Sequence, residues 1–279
     1  MNWPKHFQAV CLILIGLTAL GRAAVTQSVP DPDAAREVFQ WLNQFRIQNG
    51  VAPLEWDERL SQAALAHAYL CSKNPDLSHQ YSGEPVLSLR LAKEEIRLNR
   101  AGENLASDIT PRGAHDGLLH SAPHRLNMLS SDFNSVGIAV VQSGDKYYVV
   151  EDFAHVLPDL SISQFEEQLA KEFDLLREQS KALPLKHWVS TEMRSAACEM
   201  ASHDEVSAKG PLVSGARYIL AFTTTDARQL PSDLMQLRHS GELSGYALGA
   251  CFASSQTYPN GVYWVTMAVF PRVRQARTQ

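Results

Sequence analysis

A chain of 279 residues with 45% hydrophobic and 20% charged side chains is globular in composition, long enough for one large core or two of ordinary size, and not disordered. Its 25 basic against 30 acidic side chains give a formal net charge of −5. That balance excludes the basic face that phosphate binding requires, so nucleic acid is not an expected partner.

The chain opens as a secretory signal. Lys5 and His6 precede an apolar run from Val10 to Leu20, and Gly21-Arg22-Ala23 supplies small residues at the cleavage positions. Residues 1–23 therefore read as a signal peptide. The run is too short to span a bilayer comfortably, so no stable membrane span is expected after cleavage. The expected destination is the periplasm or the medium. Cys71, Cys198 and Cys251 remain after cleavage, an odd number, so at least one thiol is unpaired or bridges to another molecule. Cys198 with Cys251 is one pairing open to the chain. There is no Asn-x-Ser/Thr acceptor for N-glycosylation.

Two α+β halves follow, with one grammar. In the first, Asp33 is placed to cap a helix bearing Val38, Trp41, Leu42 and Phe45 on one face, and Gly50 ends it. Pro53-Leu54-Glu55-Trp56 leads to a second helix with Leu60, Ala63, Ala64 and Ala68. In the second half, Ser163 and Glu166 read as a capping box before Phe165, Leu169, Phe173 and Leu176. Pro184-Leu185-Lys186-His187-Trp188 then precedes a helix with Met193, Ala196, Ala197 and Ala201. Each half ends in a hairpin. Val136–Val141 pairs with Tyr147–Phe153 across Ser143-Gly144-Asp145, and Tyr246–Ala253 with Val262–Phe270 across Pro259-Asn260-Gly261. The second half is shorter between its second helix and its hairpin, where the first half carries Gly102–Ala106 and Pro123–Leu129. This reads as an internal duplication whose second copy has discarded that region. The units are 33–157 and 160–272.

The candidate chemistry lies in the first unit: His79 in Leu77-Ser78-His79, Glu103 in Gly102-Glu103-Asn104-Leu105-Ala106, and His124 in Pro123-His124-Arg125-Leu126-Asn127-Met128-Leu129. Two imidazoles and a carboxylate are the donors of a site for Zn²⁺ or another divalent cation, or of an acid–base site. Their spacing is too long for one helix, so only the fold can bring them together. His120 and His124 have helical spacing, but Pro123 makes a continuous helix doubtful. Asn104, Arg125 and Asn127 read as scaffold. His67 reads as a packed or surface histidine. No His-Glu-x-x-His, Gly-x-Ser-x-Gly or phosphate-cradling glycine loop is present.

Residues 34 to 154 resemble the CAP superfamily of SCP-like secreted domains. Asn43-x-x-Arg46, Pro53-Leu54-x-Trp56, Ser78-His79, Gly102–Ala106, Ser121–Leu129 and Phe133-x-x-Val136-Gly137 carry the resemblance, in the family's order. It implies a three-layer α-β-α sandwich followed by a smaller domain, a shortened copy. It also implies a cleft whose tetrad of two histidines and two glutamates is represented by His79, Glu103 and His124. The second glutamate is missing from Leu118-Leu119-His120-Ser121, and Asp116 and His120 are the candidates to replace it. The expected function is a secreted, non-enzymatic binding protein holding an apolar small molecule or a protein partner at a metal-capable cleft. Two alternatives stand beside it: a metal-dependent peptide or ester hydrolase with Glu103 as base, and a structural or adhesion component of the envelope.

Overall fold

The computed structural model describes residues 27–208 and 213–272. The proposed signal peptide at 1–23 and the terminal Arg274 and Arg277 lie outside them. The first half runs β1 (Val29–Pro30), α1 (Pro32–Gln48), β2 (Glu55–Trp56), α2 (Glu58–Cys71), α3 (Leu87–Lys93), β3 (Leu98–Asp108), α4 (Pro111–His120), α5 (Ala122–Leu129), β4 (Ser135–Ser143) and β5 (Lys146–Val156). The second runs α6 (Ile162–Gln179), β6 (Lys186–Val189), α7 (Thr191–His203), β7 (Tyr218–Thr224), α8 (Ser232–Gln236), β8 (Leu243–Ala253) and β9 (Val262–Pro271). Among the described residues no helix is long and apolar enough to cross a membrane.

The helix starts correct the sequence reading. Asp31, not Asp33, caps α1, its side chain accepting from the Ala34 N–H; Asp33 lies in the first turn, where its charge opposes the helix dipole's positive end. The capping box of α6 is Ser161 with Gln164, not Ser163 with Glu166. Glu166 is unavailable because it is buried, bonded to the Ala250 N–H and to Arg194.

Each half is a sheet covered on both faces. In the first, the strand order is β1-β4-β5-β3, with β2 parallel to one end of β4. Alternation along β5 divides its side chains as the sequence predicts. Val149 and Phe153 pack with Val38 and Leu42 of α1 and Leu118 of α4. Val150 packs with Ala64, Ala68 and Cys71 of α2. The result is the α-β-α sandwich that the resemblance implies.

The second sheet has the order β6-β8-β9-β7. It repeats β2-β4-β5-β3, including the parallel first pairing and the antiparallel remainder. A buried arginine near the end of each first helix performs the same task. Arg46 donates to the carbonyls of Ala52, Met128 and Ser130; Arg177 donates to those of Leu183, Leu237 and Ser240. Each ties a helix end to two loops that would otherwise leave buried carbonyls unpaired.

Register corrects one expectation. Gly102–Ala106 has not been deleted from the second half, because β7 is the counterpart of β3. Glu103 stands opposite Asp152, and Asp152 opposite Gly137. Ala221 stands opposite Thr266, and Thr266 opposite Gly249. The strand is kept and its chemistry replaced. Cys198 and Cys251 are disulfide-bonded, strapping α7 to β8. Cys71 is buried and free, and burial pushes its thiol up to about 11.

Gly137 and Gly249 set how closely the second helices approach. A Cβ on Gly137 would lie 2.1 Å from the Leu60 carbonyl carbon, and one on Gly249 would lie 2.2 Å from the Arg194 nitrogen. Both obstacles are helix backbone, which cannot swing aside. Gly137→Ala and Gly249→Ala are each expected to destabilise by about 3 kcal/mol or more. Urea unfolding monitored by circular dichroism checks this, and a change below 1 kcal/mol would contradict the close approach.

Candidate functional site

β3 is an edge strand, and its alternation sends neighbouring motif residues to opposite faces. Leu105 packs with Ala64, Ala68 and Cys71 of α2, and Glu103 shares that face. Asn104 points to the other.

Glu103 is buried and has no free oxygen. One oxygen is 2.7 Å from His79 Nδ1; the other accepts from Arg90 of α3 and lies 3.8 Å from His67 Nε2. Arg90 also donates to Glu84 at 2.9 Å, and Glu84 lies 2.7 Å from His67 Nδ1. Burial works against the Glu84 charge. The Tyr81 backbone N–H, His67 and Arg90 outweigh it and hold Glu84 below the usual carboxylate range. Asp152, across the sheet from Glu103, is fully buried, and neither of its oxygens has a hydrogen-bond partner. Burial first, then the charge of Glu103, push it well above the ordinary aspartate value.

The opposite face fixes His124. Asn104 Nδ2 donates to the His124 carbonyl at 3.2 Å and to Glu151 at 3.0 Å, while its oxygen accepts from Asn127 at 3.0 Å. Asn127 also donates to the Glu103 carbonyl at 3.3 Å. The two amides are the scaffold expected of them, binding the start of α5 to the edge strand. Arg125 lies with its guanidinium 5.4 Å from the Phe45 ring centre. The helical pair does not exist: α4 ends at His120 and α5 starts at Ala122.

His79 is held from one face of the edge strand through Glu103, and the His124 backbone from the other through Asn104. His79 is 62% exposed, so its outer nitrogen is reachable from solvent. Burial first, and then the charge of His79, hold His124 below the usual imidazole range. His124 is therefore neutral near pH 7 and able to accept. The proposed replacements for the missing acid are engaged elsewhere. Asp116 pairs with Arg112 at 3.0 Å, and His120 lies 2.7 Å from the Asp116 carbonyl.

For a divalent ion, the donor set is specific in what it offers. Among the described residues no three His, Cys, Asp or Glu side chains are arranged to hold a metal ion. Glu103 is engaged by Arg90 and His79 and stands behind the His79 ring.

Sequence reasoning missed Glu84, Arg90 and Asp152, and weighed His67 only as packed or surface. The Asp152 signal was there to read: Glu151 and Asp152 interrupt an apolar strand, and a strand covered on both faces must bury any acid it holds. Glu84 and Arg90 stand in a stretch without periodicity, and nothing local marks them.

Glu151 makes the burial measurable. It is fully buried, and burial raises its pKa from 4.5 to about 7, opposed only by Asn104. The folded state therefore binds this proton more tightly than the unfolded chain does. Its stabilising contribution is complete below about pH 4.5 and is lost as the pH rises to about 7, a change of at most about 3 kcal/mol. Glu151→Gln is expected to remove that slope and to be the more stable protein at pH 7. Urea midpoints of both proteins between pH 4.5 and 7.5 check it, and parallel curves would refute it.

The first half is similar in sequence to known proteins. The family model "Cysteine-rich secretory protein family" (CAP) matches residues 39–153. The chain is 32% identical over 124 residues to the "Uncharacterized protein YkwD" of Bacillus subtilis, covering 43% of this chain and 48% of that protein. It is 29% identical over 119 residues to the "Uncharacterized membrane protein YlbC" of the same organism, covering 42% of this chain and 33% of that protein. The chain thus spans from a third to about half the length of these curated relatives. Among solved structures, an extracellular protein containing an SCP domain from Bacillus anthracis matches at 26% identity and a TM-score of 0.41, over 44% of this chain and 41% of that one. Over residues 39–153, the span of the first sandwich, this chain is similar to the CAP family.

Proposed function

We propose that the protein is an exported binding protein. Its first domain would use His79 and His124 to hold a divalent ion such as Zn²⁺ or a polar ligand group, with Glu103 positioning His79 from behind. The observation that carries this reading is the saturation of Glu103 by Arg90 and His79. Each Glu103 oxygen is already engaged inside the protein, one by His79 and one by Arg90, so the carboxylate is better placed to hold the His79 ring than to act on a substrate, and binding is favoured over hydrolysis. The neutral state of His124 supports ligation, because an imidazole must be deprotonated to coordinate.

A groove of about 410 Å³ runs beside the same network, between α2, the segment 81–85 and α3. Ala63, Ala66, Leu70, Pro85 and Leu89 give it an apolar wall, while Glu84 and Arg90 lie at its polar side. It would take the apolar part of a ligand or a protein partner. The second half, with the same strand order and the same arginine device, is proposed to be a degenerate copy of the first. The signal-like start and the family of the first domain support a position outside the cytoplasm.

Equilibrium dialysis with Zn²⁺ tests the ion. Wild type is expected to retain one ion per chain at micromolar concentration, and the double variant His79→Ala/His124→Ala to lose it. Glu103→Gln, which frees the His79 ring, is expected to weaken retention about 10- to 100-fold. Equal retention by wild type and the double variant would remove the ion from the proposal. Peptide or ester cleavage abolished by Glu103→Gln would replace binding with hydrolysis.

A further inference from the structure

The second half carries an open cleft that the first half closes, and the difference traces to one extra residue. In the first half Asn43 of α1 clamps the following loop, accepting from the Leu54 N–H at 2.8 Å and donating to the Leu54 carbonyl at 2.9 Å. Trp56 then lies against Phe39, with ring centres 5.4 Å apart, and under the Arg36 guanidinium. It covers the side of α1.

In the second half the strand is longer by a step. Trp56 stands opposite Val136, but the position opposite the matching Leu248 is Val189; Trp188 stands one place earlier, opposite Ala247. A one-residue slip turns a strand side chain to the other face. Trp188 is therefore carried away from α6 and stacks on Phe270 at 5.2 Å. His187 takes the α6 side, stacked on Tyr246 at 5.4 Å and 3.4 Å from Asp174. Asp174 holds the place of Asn43 and, having no N–H, cannot donate to the loop carbonyl.

What remains is a cleft of about 720 Å³ along α6, a size that suits a small ligand. Four of its charges are unpaired. Among the described residues Lys171, Lys181, Glu167 and Glu178 line it without an ion pair. Arg177 also lines it, is 2% exposed, and has an Nε with no hydrogen-bond partner. Asp174 and Glu178, four apart on one helix face, repel each other and favour a cation between them. Burial raises the Asp174 carboxyl, opposed by His187, Tyr246 and Arg177, so a cation there would relieve a standing cost.

We propose that this cleft is a binding site for a small zwitterion of the amino-acid or dipeptide class. The ammonium lies against Asp174 and Glu178, the carboxylate is received by Lys181 beside Glu178, and the side chain rests on Leu175 and Pro184. Both signs of charge stand in one cleft, so neither a simple cation nor a simple anion satisfies it.

Ligand-observed NMR and titration calorimetry on the full chain test this, with L-alanyl-L-alanine and L-leucyl-L-alanine as probes. Each peptide is also used in its N-acetylated and its C-amidated form. The free peptides are expected to bind, and each blocked form at least tenfold more weakly. Asp174→Asn and Lys181→Gly each restore the residue that the first half holds at that place (Asn43 and Gly50), so the fold tolerates them. Lys181 has a φ of +56°, which glycine adopts freely. Asp174→Asn is expected to lose affinity for the free peptides at least tenfold and Lys181→Gly severalfold, while His124→Ala leaves it unchanged. Free and blocked peptides binding equally, no binding at 10 mM peptide, or variants that bind as wild type does would each overturn the proposal.

Discussion

The first domain turns on a single buried guanidinium. The sheet is covered on both faces, so any acid on its middle strands is removed from water whether or not it is useful. Glu103 and Asp152 stand side by side on one face, and two adjacent carboxylates cannot both ionise there. Arg90 decides the outcome. It binds Glu103 and Glu84 together, while burial and then the charge of Glu103 push Asp152 well above the ordinary aspartate value. Glu103 in turn holds the His79 ring. The orientation of the exposed imidazole is thus set by an arginine that never reaches the surface. Removing one member of such a network leaves an uncompensated charge indoors, which costs far more than the network itself contributes.

On the other face the same problem has a different solution. Glu151 meets no cation, only the Asn104 amide, and its proton remains on it to about pH 7. Asn104 in turn is spread over Glu151, Asn127 and the His124 carbonyl. One short amide therefore connects a buried acid, the edge strand and the helix that brings His124. The Glu103-Asn104 dipeptide places one residue on each face, so two adjacent residues position both histidines, one from each layer.

Much of this was legible in the residues. Amphipathic runs gave the long helices, Asn-Gly and Gly-Asp gave the turns, and the family resemblance singled out Glu103 and the two histidines. Helix starts were misread where several capping residues compete. Asp31 and Asp33, or Ser161 and Ser163, are equivalent on local grounds, and tertiary burial of Glu166 decides the second case. The support of the site was illegible for a different reason. Glu84 and Arg90 act through contacts with residues on other elements, and a solvated Glu or Arg looks the same in sequence as a buried one. The slip of Trp188 was hidden in the same way. The Pro-Leu-x-Trp spacing of one half and the Pro-Leu-x-x-Trp spacing of the other look like a trivial insertion until strand alternation converts it into a change of face.

The two halves also explain each other's length. In the second, Ala221 holds the place of Glu103, Thr266 that of Asp152, Phe222 that of Asn104 and Val265 that of Glu151. Each place that holds a buried acid on β3 and β5 holds, in β7 and β9, a residue that needs no counter-charge. The first half supplies its counter-charge from residues 72–97, which carry His79, Glu84 and Arg90. The second half crosses the same gap, from α7 to β7, with residues 204–217. Once the acids are gone a neutralising segment has nothing to bind, and its ordering would cost entropy without return. The shorter segment and the missing charge then go together, and neither touches the Arg177 clamp, the glycine contact or the strand order, because none of those involves a buried acid.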